Sequence, residues 1–257
     1  MIRLESLTKR YGSFTAVHPL DLHVRRGEIF GFLGPNGAGK TTTIRMLVGV
    51  LRPSGGRIVI GGHDMERDGL AAKRLVGYIP DRPFVYDKLT GMEFLRFVGG
   101  LWGRDDADAE RHALELLELF DLTPWKDTLV ESYSHGMRQK LLISSALVHR
   151  PELIVVDEPM VGLDPRAARL IKDLLRAFAQ GGGTVFLSTH TLEVAEALCD
   201  RIAILAEGRI RAVGTMDELR AEAAAGTAGL EDIFLKLTGG SEVADLVASL
   251  RAGPGVP

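Results

Sequence analysis

The chain has 257 residues, of which 46% are hydrophobic and 25% are charged, and its formal net charge is -3. This composition is typical of a globular protein and excludes a disordered chain or a disulfide scaffold. The slightly acidic charge supplies no basic field, so we expect no nucleic acid partner. Cys199 is the only cysteine, which favours a reducing compartment. With neither a signal peptide nor an apolar run of about 18 residues, the chain is expected to be soluble by itself.

Short apolar runs predict strands along most of the chain, and amphipathic helices separate the later ones. The strands are predicted at residues 2–7, 15–24, 28–33, 57–60, 76–79, 153–158, 184–189, 201–205 and 209–213. The helices are predicted at residues 41–51, 138–148, 166–178 and 192–198. Apolar strands that alternate with helices predict a mostly parallel sheet covered on both faces. The early strands have no helices between them and therefore predict an antiparallel flap beside that sheet.

A segment rich in leucine and glutamate, from about residue 90 to residue 129, has no strand pattern and predicts a helical subdomain inserted into the α/β core. Together with the helix that follows it, this subdomain covers about residues 90–150. From residue 214 onward the sequence predicts two short helices, the first with a capping box formed by Thr215 and Glu218. We therefore divide the chain into a main domain of residues 1–220 and a short helical tail of residues 221–257.

The stretch GPNGAGKT at residues 34–41 fits the pattern G-x-x-x-x-G-K-[ST], follows a predicted strand directly and opens a predicted helix. Glycines let successive backbone N–H groups turn toward a phosphate, and the positive end of the helix adds to the attraction. Lys40 is expected to reach the β- and γ-phosphates, and Thr41 to ligate Mg²⁺. The residues predicted to bind the nucleotide here are Gly34, Asn36, Gly37, Ala38, Gly39, Lys40, Thr41 and Thr42.

A second motif, LIVVDEP at residues 153–159, reads as a buried strand that ends in two carboxylates. The C-terminal ends of parallel strands are where α/β proteins bind ligands. Asp157 is predicted to hold Mg²⁺ through water, and Glu158 to orient or deprotonate an attacking water. A buried ion pair is the alternative. Taken alone, the two motifs fit many proteins that transfer phosphate, including kinases and GTPases.

The motifs YSHGMRQ at residues 133–139, GLDP at residues 162–165 and LSTH at residues 187–190 separate these classes. In this order and spacing the chain resembles the ATP-binding cassette of ABC transporters over roughly residues 1–220. The resemblance implies an α/β fold, with a P-loop NTPase core, a mostly parallel sheet, an N-terminal antiparallel β flap and an inserted α-helical subdomain. It implies ATP and Mg²⁺ as cofactors. It also implies head-to-tail pairing with a second cassette, as a homodimer or a heterodimer.

YSHGMRQ resembles the family's signature loop, which closes on the ATP held by the other cassette. Ser134 precedes a helical pattern and is expected to be its N-cap, so the N–H groups behind it form a second anion site. The resemblance therefore places Ser134 and Gly136 at the partner's nucleotide. His135 and Met137 depart from the usual glycine and glutamine of this loop. Backbone N–H donors survive both changes, but a contact from glutamine to ribose does not.

Three further assignments follow from the resemblance. His190 matches the switch histidine and is predicted to act with Glu158 and Lys40 in catalysis, because imidazole can donate to a γ-phosphate oxygen and help to position water. Asp164 in GLDP is expected to set the geometry across the dimer. Tyr11 resembles the aromatic residue that stacks on adenine, with Val17 as its apolar neighbour.

Asp81, in VGYIPDRP, occupies the position at which the family usually has the glutamine of its Q-loop. A carboxylate cannot offer the amide donor, but it can supply oxygen to Mg²⁺ directly or through water. Asp81 is therefore predicted as a metal ligand. The alternative is a turn-forming aspartate that bonds nearby backbone or pairs with Arg82.

The resemblance implies an ATPase that powers transport across a membrane by ATP-driven dimerisation coupled to separate membrane subunits. The signature loop and the tail GLEDIFLKLTGG look most like those of the exporter subgroup. The expected location is cytoplasmic, on the inner face of the cell membrane. A soluble ABC ATPase in cofactor or cluster assembly is the alternative, and the cargo is not encoded in these motifs.

Overall fold

The computed structural model describes residues 1–81, 84–104, 107–158, 165–222 and 230–238. The strands in chain order are β1 (Ile2–Tyr11), β2 (Phe14–Val24), β3 (Ile29–Leu33), β4 (Gly55–Ile60), β5 (His63–Asp64), β6 (Val76–Ile79), β7 (Leu153–Asp157), β8 (Thr184–Thr189), β9 (Arg201–Ala206) and β10 (Arg209–Gly214). The helices are α1 (Lys40–Leu47), α2 (Gly69–Arg74), α3 (Gly91–Leu101), α4 (Ala107–Leu119), α5 (His135–Leu147), α6 (Pro165–Gln180), α7 (Leu192–Leu198), α8 (Met216–Glu222) and α9 (Leu230–Thr238).

The main sheet has the strand order β10-β9-β3-β8-β7-β6. Its pairs are parallel except for the antiparallel pair of β9 and β10. Strands β3, β7 and β8 are buried at every position, as expected for strands covered by helices on both faces. The predicted mostly parallel sheet is confirmed. Because β7 and β8 are neighbours, their C-terminal ends lie side by side at one edge.

The predicted antiparallel flap is a sheet with the order β2-β1-β4-β5. Strand β4 belongs to it although α1 precedes β4 in the chain, and β5 was not predicted because two residues carry no periodic pattern. Strand β3 leaves the flap and enters the main sheet. Apolar side chains from both sheets form one cluster with the buried face of α1, which holds the flap against the P-loop side of the core.

Helix α1 begins at Lys40 and ends at Leu47, earlier than the predicted end at residue 51. Gly49 has φ +70° and stops the helix, because its N–H and that of Val50 turn back onto the carbonyls of Met46 and Arg45. Helix α2 was missed by the sequence analysis. It has only six residues, and the strongest helix signals need a longer periodic segment.

Helices α3, α4 and α5 pack around fully buried Leu95, Leu117, Phe120 and Leu141. Helix α3 starts with a capping box in which Glu93 N–H donates to Thr90 Oγ1 at 3.2 Å and Thr90 N–H donates to the Glu93 carboxylate at 2.8 Å. Two short 3₁₀ turns, Thr123–Trp125 and Val130–Ser132, connect α4 to α5. The predicted helical subdomain is therefore helical where the structure describes it. The division of the chain into domains stays a prediction.

The C-terminal helices α8 and α9 pack against the main sheet through Leu219, Leu230 and Ile233, which are buried beside β9, β10 and α7. The capping box predicted for α8 is present, with Thr215 N–H donating to Glu218 at 2.7 Å and Glu218 N–H donating to Thr215 Oγ1 at 3.3 Å. In the described part of the chain, no helix is both long enough and apolar enough to span a membrane.

Candidate nucleotide site

The loop between β3 and α1, here called the P-loop, needs glycine at defined positions. Gly37 and Gly39 have φ +82° and +99°, in the left-handed region that other residues enter only with strain. A Cβ atom on Gly34 would lie 2.7 Å from the carbonyl oxygen of Leu205. The loop therefore turns tightly at Gly37 and Gly39 and lies directly against β9 at Gly34. Thr41 and Thr42, in the first turn of α1, are exposed and partly exposed.

The Lys40 side chain is 6% exposed and lies along the P-loop. Its ammonium group donates to the carbonyl oxygens of Gly34 at 2.6 Å and Pro35 at 3.1 Å. Its Nζ atom is 3.6 Å from Glu158 Oε1. Burial lowers the pKa of Lys40, and the nearby carboxylates of Glu158 and Asp157 oppose this shift. The Lys40 ammonium group is thus held between the P-loop and the acidic end of β7.

Asp157 is the last residue of β7 and is 1% exposed. Its carboxylate accepts a short hydrogen bond from Ser188 Oγ and lies near the Thr41 hydroxyl. Burial raises the pKa of Asp157 above its ordinary value, and the hydroxyl groups of Ser188 and Thr41 oppose the shift. The structure therefore brings together Thr41 and Asp157, the pair predicted to hold Mg²⁺.

Ser188 was not recognised as a site residue by the sequence analysis. It pairs with Asp157 in the register of the parallel strands β7 and β8 and is fully buried. The sequence signal for Ser188 was its position in LSTH, two residues before His190. A hydroxyl group buried at the end of a strand needs a hydrogen-bond partner, and here the partner lies on the neighbouring strand.

Glu158 follows β7 and adopts φ +52°, which is rare for a residue with a side chain. Its N–H donates to Ser188 O at 3.2 Å, so the unusual conformation is supported by β8. Its Oε2 atom lies 2.9 Å from His190 Nδ1 and accepts the His190 backbone N–H at 3.3 Å. Strained backbone of this kind concentrates at functional sites. The Glu158 carboxylate thus lies within 4 Å of both Lys40 and His190, with one oxygen toward each.

These side chains have a donor set that fits ATP and Mg²⁺. The P-loop offers backbone N–H groups and an ammonium group for phosphate, while Thr41 and Asp157 offer a hydroxyl and a carboxylate for a hard cation. No cluster of three or more His, Cys, Asp or Glu side chains suited to a metal occurs among the described residues. Mg²⁺ commonly takes one or two protein ligands together with substrate phosphates and water.

Tyr11 ends β1 and is 50% exposed, with Lys9 Nζ 5.2 Å from the centre of its ring. The contact of Tyr11 with adenine stays a prediction. Val17 is fully buried in the apolar cluster under α1. Its Cγ2 atom lies close beneath Gly39. The predicted contact of Val17 with adenine does not fit this structure, because a fully buried side chain presents no surface to a base.

Ser134 is the N-cap of α5, as predicted, and its hydroxyl accepts the N–H of Met137 at 3.3 Å. His135 is exposed and Gly136 is partly exposed, so the start of α5 faces solvent. In the described part of the chain, no hydrogen bond or ion pair joins Ser134 or Gly136 to the P-loop.

Arg138 fixes the start of α5. Its guanidinium group donates to the Asp87 carboxylate at 2.8 Å, to Glu131 O at 2.9 Å and to Tyr133 O at 3.2 Å. The sequence analysis assigned no role to Arg138. The feature that could have indicated one was its position inside the signature motif YSHGMRQ.

Asp81 follows β6 and is exposed. Its charge contributes to raising the pKa of Asp157, and burial together with the charges of Asp157 and Asp81 raises the pKa of Tyr78 to about 12. Asp81 is therefore within electrostatic range of the predicted metal ligand, while metal binding by Asp81 stays a prediction. Arg82 and Asp164 lie outside the described residues, so the pairing of Asp81 with Arg82 and the role of Asp164 in GLDP across the dimer stay predictions.

The profile of the ABC transporter family matches residues 17–161. The daunorubicin resistance ATP-binding protein DrrA3 of Streptomyces coeruleorubidus is 42% identical over 221 residues, 86% of this chain and 70% of that protein. The linearmycin resistance ATP-binding protein LnrL of Bacillus subtilis is 38% identical over 219 residues, 85% and 70% of the two chains. The fluoroquinolones export ATP-binding protein of Mycobacterium tuberculosis is 40% identical over 222 residues, 86% and 72% of the two chains.

A solved ATP-binding subunit of an ABC transporter matches with a TM-score of 0.87 and 33% identity, over 92% of this chain and 99% of that chain. A dimeric bacterial ABC transporter cassette matches with a TM-score of 0.76 and 25% identity, over 84% and 99%. Together with the family match, these similarities show that the chain belongs to the ABC transporter family and has its α/β P-loop NTPase fold. It is an ATP-binding protein and an ABC-type ATPase, which converts ATP and water to ADP and phosphate.

Proposed function

We propose that this chain powers export across a membrane, as one of two cassettes that dimerise around ATP and dock on separate membrane subunits. The observation that carries the proposal is the contact of Glu158 with both Lys40 and His190 beside the P-loop. Export as the direction is supported by relatives named for drug resistance and for fluoroquinolone export. The chain then acts as a peripheral protein on the cytoplasmic face of that membrane.

The P-loop binds the ATP phosphates through backbone N–H groups of residues 36–39 and the Lys40 ammonium group. Glu158 accepts a proton from the attacking water, and His190 orients the carboxylate through its Nδ1 and backbone N–H donors. Thr41 and Asp157 hold Mg²⁺, which supplies positive charge to the phosphates. Ser188 keeps the Asp157 carboxylate in place.

The second cassette contributes its signature loop to each ATP. Ser134 and His135 are exposed and Gly136 is partly exposed, and a helix N-terminus attracts phosphate through its free N–H groups and dipole. Within the described part of one chain, no polar contact joins this loop to Lys40. In the proposed dimer, the signature loop of one chain meets the ATP bound to the P-loop of the other. The similarity to a dimeric cassette supports the same arrangement.

An aromatic patch supports docking on a membrane subunit. Phe84, Tyr86 and Phe97 are exposed, with Tyr86 ring centroids 5.7 Å from Phe84 and 5.4 Å from Phe97. Exposed apolar patches commonly mark protein interaction sites. The patch begins at Phe84, shortly after Asp81 in the chain. A partner bound to the patch would therefore lie next to the segment that carries Asp81, a predicted metal ligand.

The proposed chemistry is tested by Glu158→Gln, which keeps the side-chain shape and removes the base. We expect turnover to fall roughly 100- to 10,000-fold, with ATP still bound and with an ATP-dependent dimer visible by light scattering. Glu193→Gln changes an exposed glutamate of α7 and serves as the control. Native turnover in Glu158→Gln would remove Glu158 as the base, and a monomer at saturating ATP in this variant would argue against dimerisation.

The export role is tested by purifying the native complex from membranes. We expect a polytopic membrane protein to accompany the chain, and Phe97→Asp to lose this partner while its ATP affinity is retained. Co-purification with a soluble assembly partner, and no membrane protein, would instead favour the cofactor-assembly role.

A further inference from the structure

Three backbone segments converge behind the P-loop, and one of them comes from far along the chain. They are residues 16–17 of β2, residues 38–39 of the P-loop, and the two-residue turn Glu207–Gly208 that joins β9 to β10. Both turn residues have positive φ, +52° at Glu207 and +70° at Gly208. This is the geometry of a type I′ hairpin turn, which favours glycine.

Gly208 connects the other two segments by backbone hydrogen bonds. Its N–H donates to the carbonyl oxygen of Ala38 at 3.1 Å, and its own carbonyl oxygen accepts the N–H of His18 at 2.9 Å. A single residue of the β9–β10 turn thus ties the phosphate-binding loop to strand β2. Strand β2 in turn pairs with β1, the strand that ends at Tyr11.

The space at this junction excludes a larger residue. A Cβ atom on Gly208 would lie 2.6 Å from Ala16 O, and one on Gly39 would lie 2.8 Å from the same oxygen. The atoms in the way belong to backbone, so they cannot rotate aside as a flexible side chain could. Any residue other than glycine at position 208 must therefore displace β2 or the P-loop.

The same hairpin supports the P-loop at its other end and is held to β2 by a side chain. A Cβ atom on Gly34 would lie 2.7 Å from the carbonyl oxygen of Leu205, so only glycine fits at position 34. Arg209 Nη2 lies 2.8 Å from His18 Nδ1, where the guanidinium donates to the ring nitrogen. Strand β9 and its turn therefore form a continuous backing from the first to the last glycine of the loop.

We infer that Gly208 is a positioning residue for nucleotide binding: it sets the distance between the P-loop and β2, and so the geometry of the backbone donors that meet the phosphates. Gly208 touches no phosphate itself. The inference rests on the proposed assignment of the P-loop as the phosphate site.

The test is Gly208→Ala, with ADP affinity measured by calorimetry and with steady-state ATPase kinetics. We expect the dissociation constant for ADP and the KM for ATP to rise roughly 10- to 100-fold, the scale for displacing a binding group by about 1 Å. We expect kcat to change much less, because phosphate contacts made equally in the ground and transition states appear in KM.

Two matched controls separate backbone strain from displacement of the loop. Gly103 and Gly27 have φ +71° and +77°, and a Cβ on either would meet no atom within 4 Å. Gly103→Ala and Gly27→Ala should lower the melting temperature while leaving ADP affinity near that of the wild type. Gly208→Ala with wild-type ADP affinity, even with a lowered melting temperature, would overturn the inference and leave Gly208 a structural residue.

If Gly208→Ala does not fold, Arg209→Ala loosens the same turn without filling the junction. Its ADP dissociation constant should rise roughly 2- to 10-fold, the range for one lost hydrogen bond, and an unchanged value would then overturn the inference. The proposed phosphate site is tested separately by Lys40→Ala. Native ADP affinity in Lys40→Ala would contradict that assignment, whatever the Gly208 result.

Discussion

His190 holds Glu158 through two donors on one oxygen: Nδ1 lies 2.9 Å from Oε2, and the His190 backbone N–H reaches the same atom at 3.3 Å. Because Nδ1 donates to the carboxylate, Nε2 is free of this contact. It can donate to a phosphate oxygen only when the ring carries a second proton. His190 thus orients the carboxylate of Glu158, the proposed base, with Nδ1, and its Nε2 is left for the phosphate.

Removing this imidazole should slow the chemical step. We expect His190→Ala to lower kcat by roughly 100-fold, the usual scale for one lost donor in an active site. The side chain is 47% exposed, so the melting temperature should change little. His23→Ala removes an exposed imidazole of β2 and is the control. A kcat equal to that of the wild type would show that the backbone donor alone orients Glu158.

The buried carboxylate of Asp157 should make stability depend on pH. Burial raises its pKa above 3.8, so the folded protein binds this proton more tightly than the unfolded chain does. The contribution of Asp157 to stability therefore falls as the pH rises from about 3.8 through the raised folded-state value. Asp157→Asn cannot ionise and still accepts from Ser188. The free energy of unfolding of this variant, relative to that of the wild type, should therefore increase over this pH interval. The variant should still have the larger relative value at pH 7.

Denaturant titrations of both proteins between pH 4 and pH 8 would measure this difference. An advantage that shrinks with rising pH would contradict the assigned cause. The same variant should lose Mg²⁺-dependent ATPase activity, because an amide is a weaker ligand for a hard cation than a carboxylate.

Asp81 is expected to assist the metal site from the end of β6. Asp81→Ala should lower Mg²⁺-dependent turnover or its coupling roughly 10- to 100-fold, as for groups that orient metal ligands, whereas Asp81→Gln should be tolerated. Asp217→Ala, at a side chain that is 94% exposed in α8, provides a control. Full activity and full coupling in Asp81→Ala would leave Asp81 a turn residue.

Arg138 connects Asp87, the residue after Tyr86 of the aromatic patch, to the start of α5, and it also donates to the carbonyl oxygens of Glu131 and Tyr133. Lysine has no planar fork and cannot make this set of bonds. Arg138→Lys should therefore weaken ATP-dependent dimerisation roughly tenfold, about the effect of one charge-assisted hydrogen bond. ADP affinity of the monomer should be unchanged. Concentration-dependent light scattering at saturating ATP measures the first, and a loss of ADP affinity would assign Arg138 to the chain's own site.

Much of the site follows from local sequence. The P-loop lies between a strand and a helix that follow one another directly in the chain. Its glycines, Lys40 and Thr41 are set by spacing along the chain. The placement of Glu158 and His190 at the same edge of the sheet also follows, because parallel strands place their C-terminal ends there. Their direct contact depends on β7 and β8 being neighbours. The capping box of Thr215 and Glu218 is equally local.

Other features were decided only when distant segments packed together. Val17 is buried because the flap closes over α1, and Ser188 meets Asp157 because β8 lies beside β7 in a fixed register. Gly208 reaches Ala38 across a large part of the chain. The sequence by itself thus determined the kind of loop, the acidic strand end and the chemistry they offer. The tertiary structure decided which backbone supports that loop, since such contacts depend on the order and register of strands and not on any local pattern.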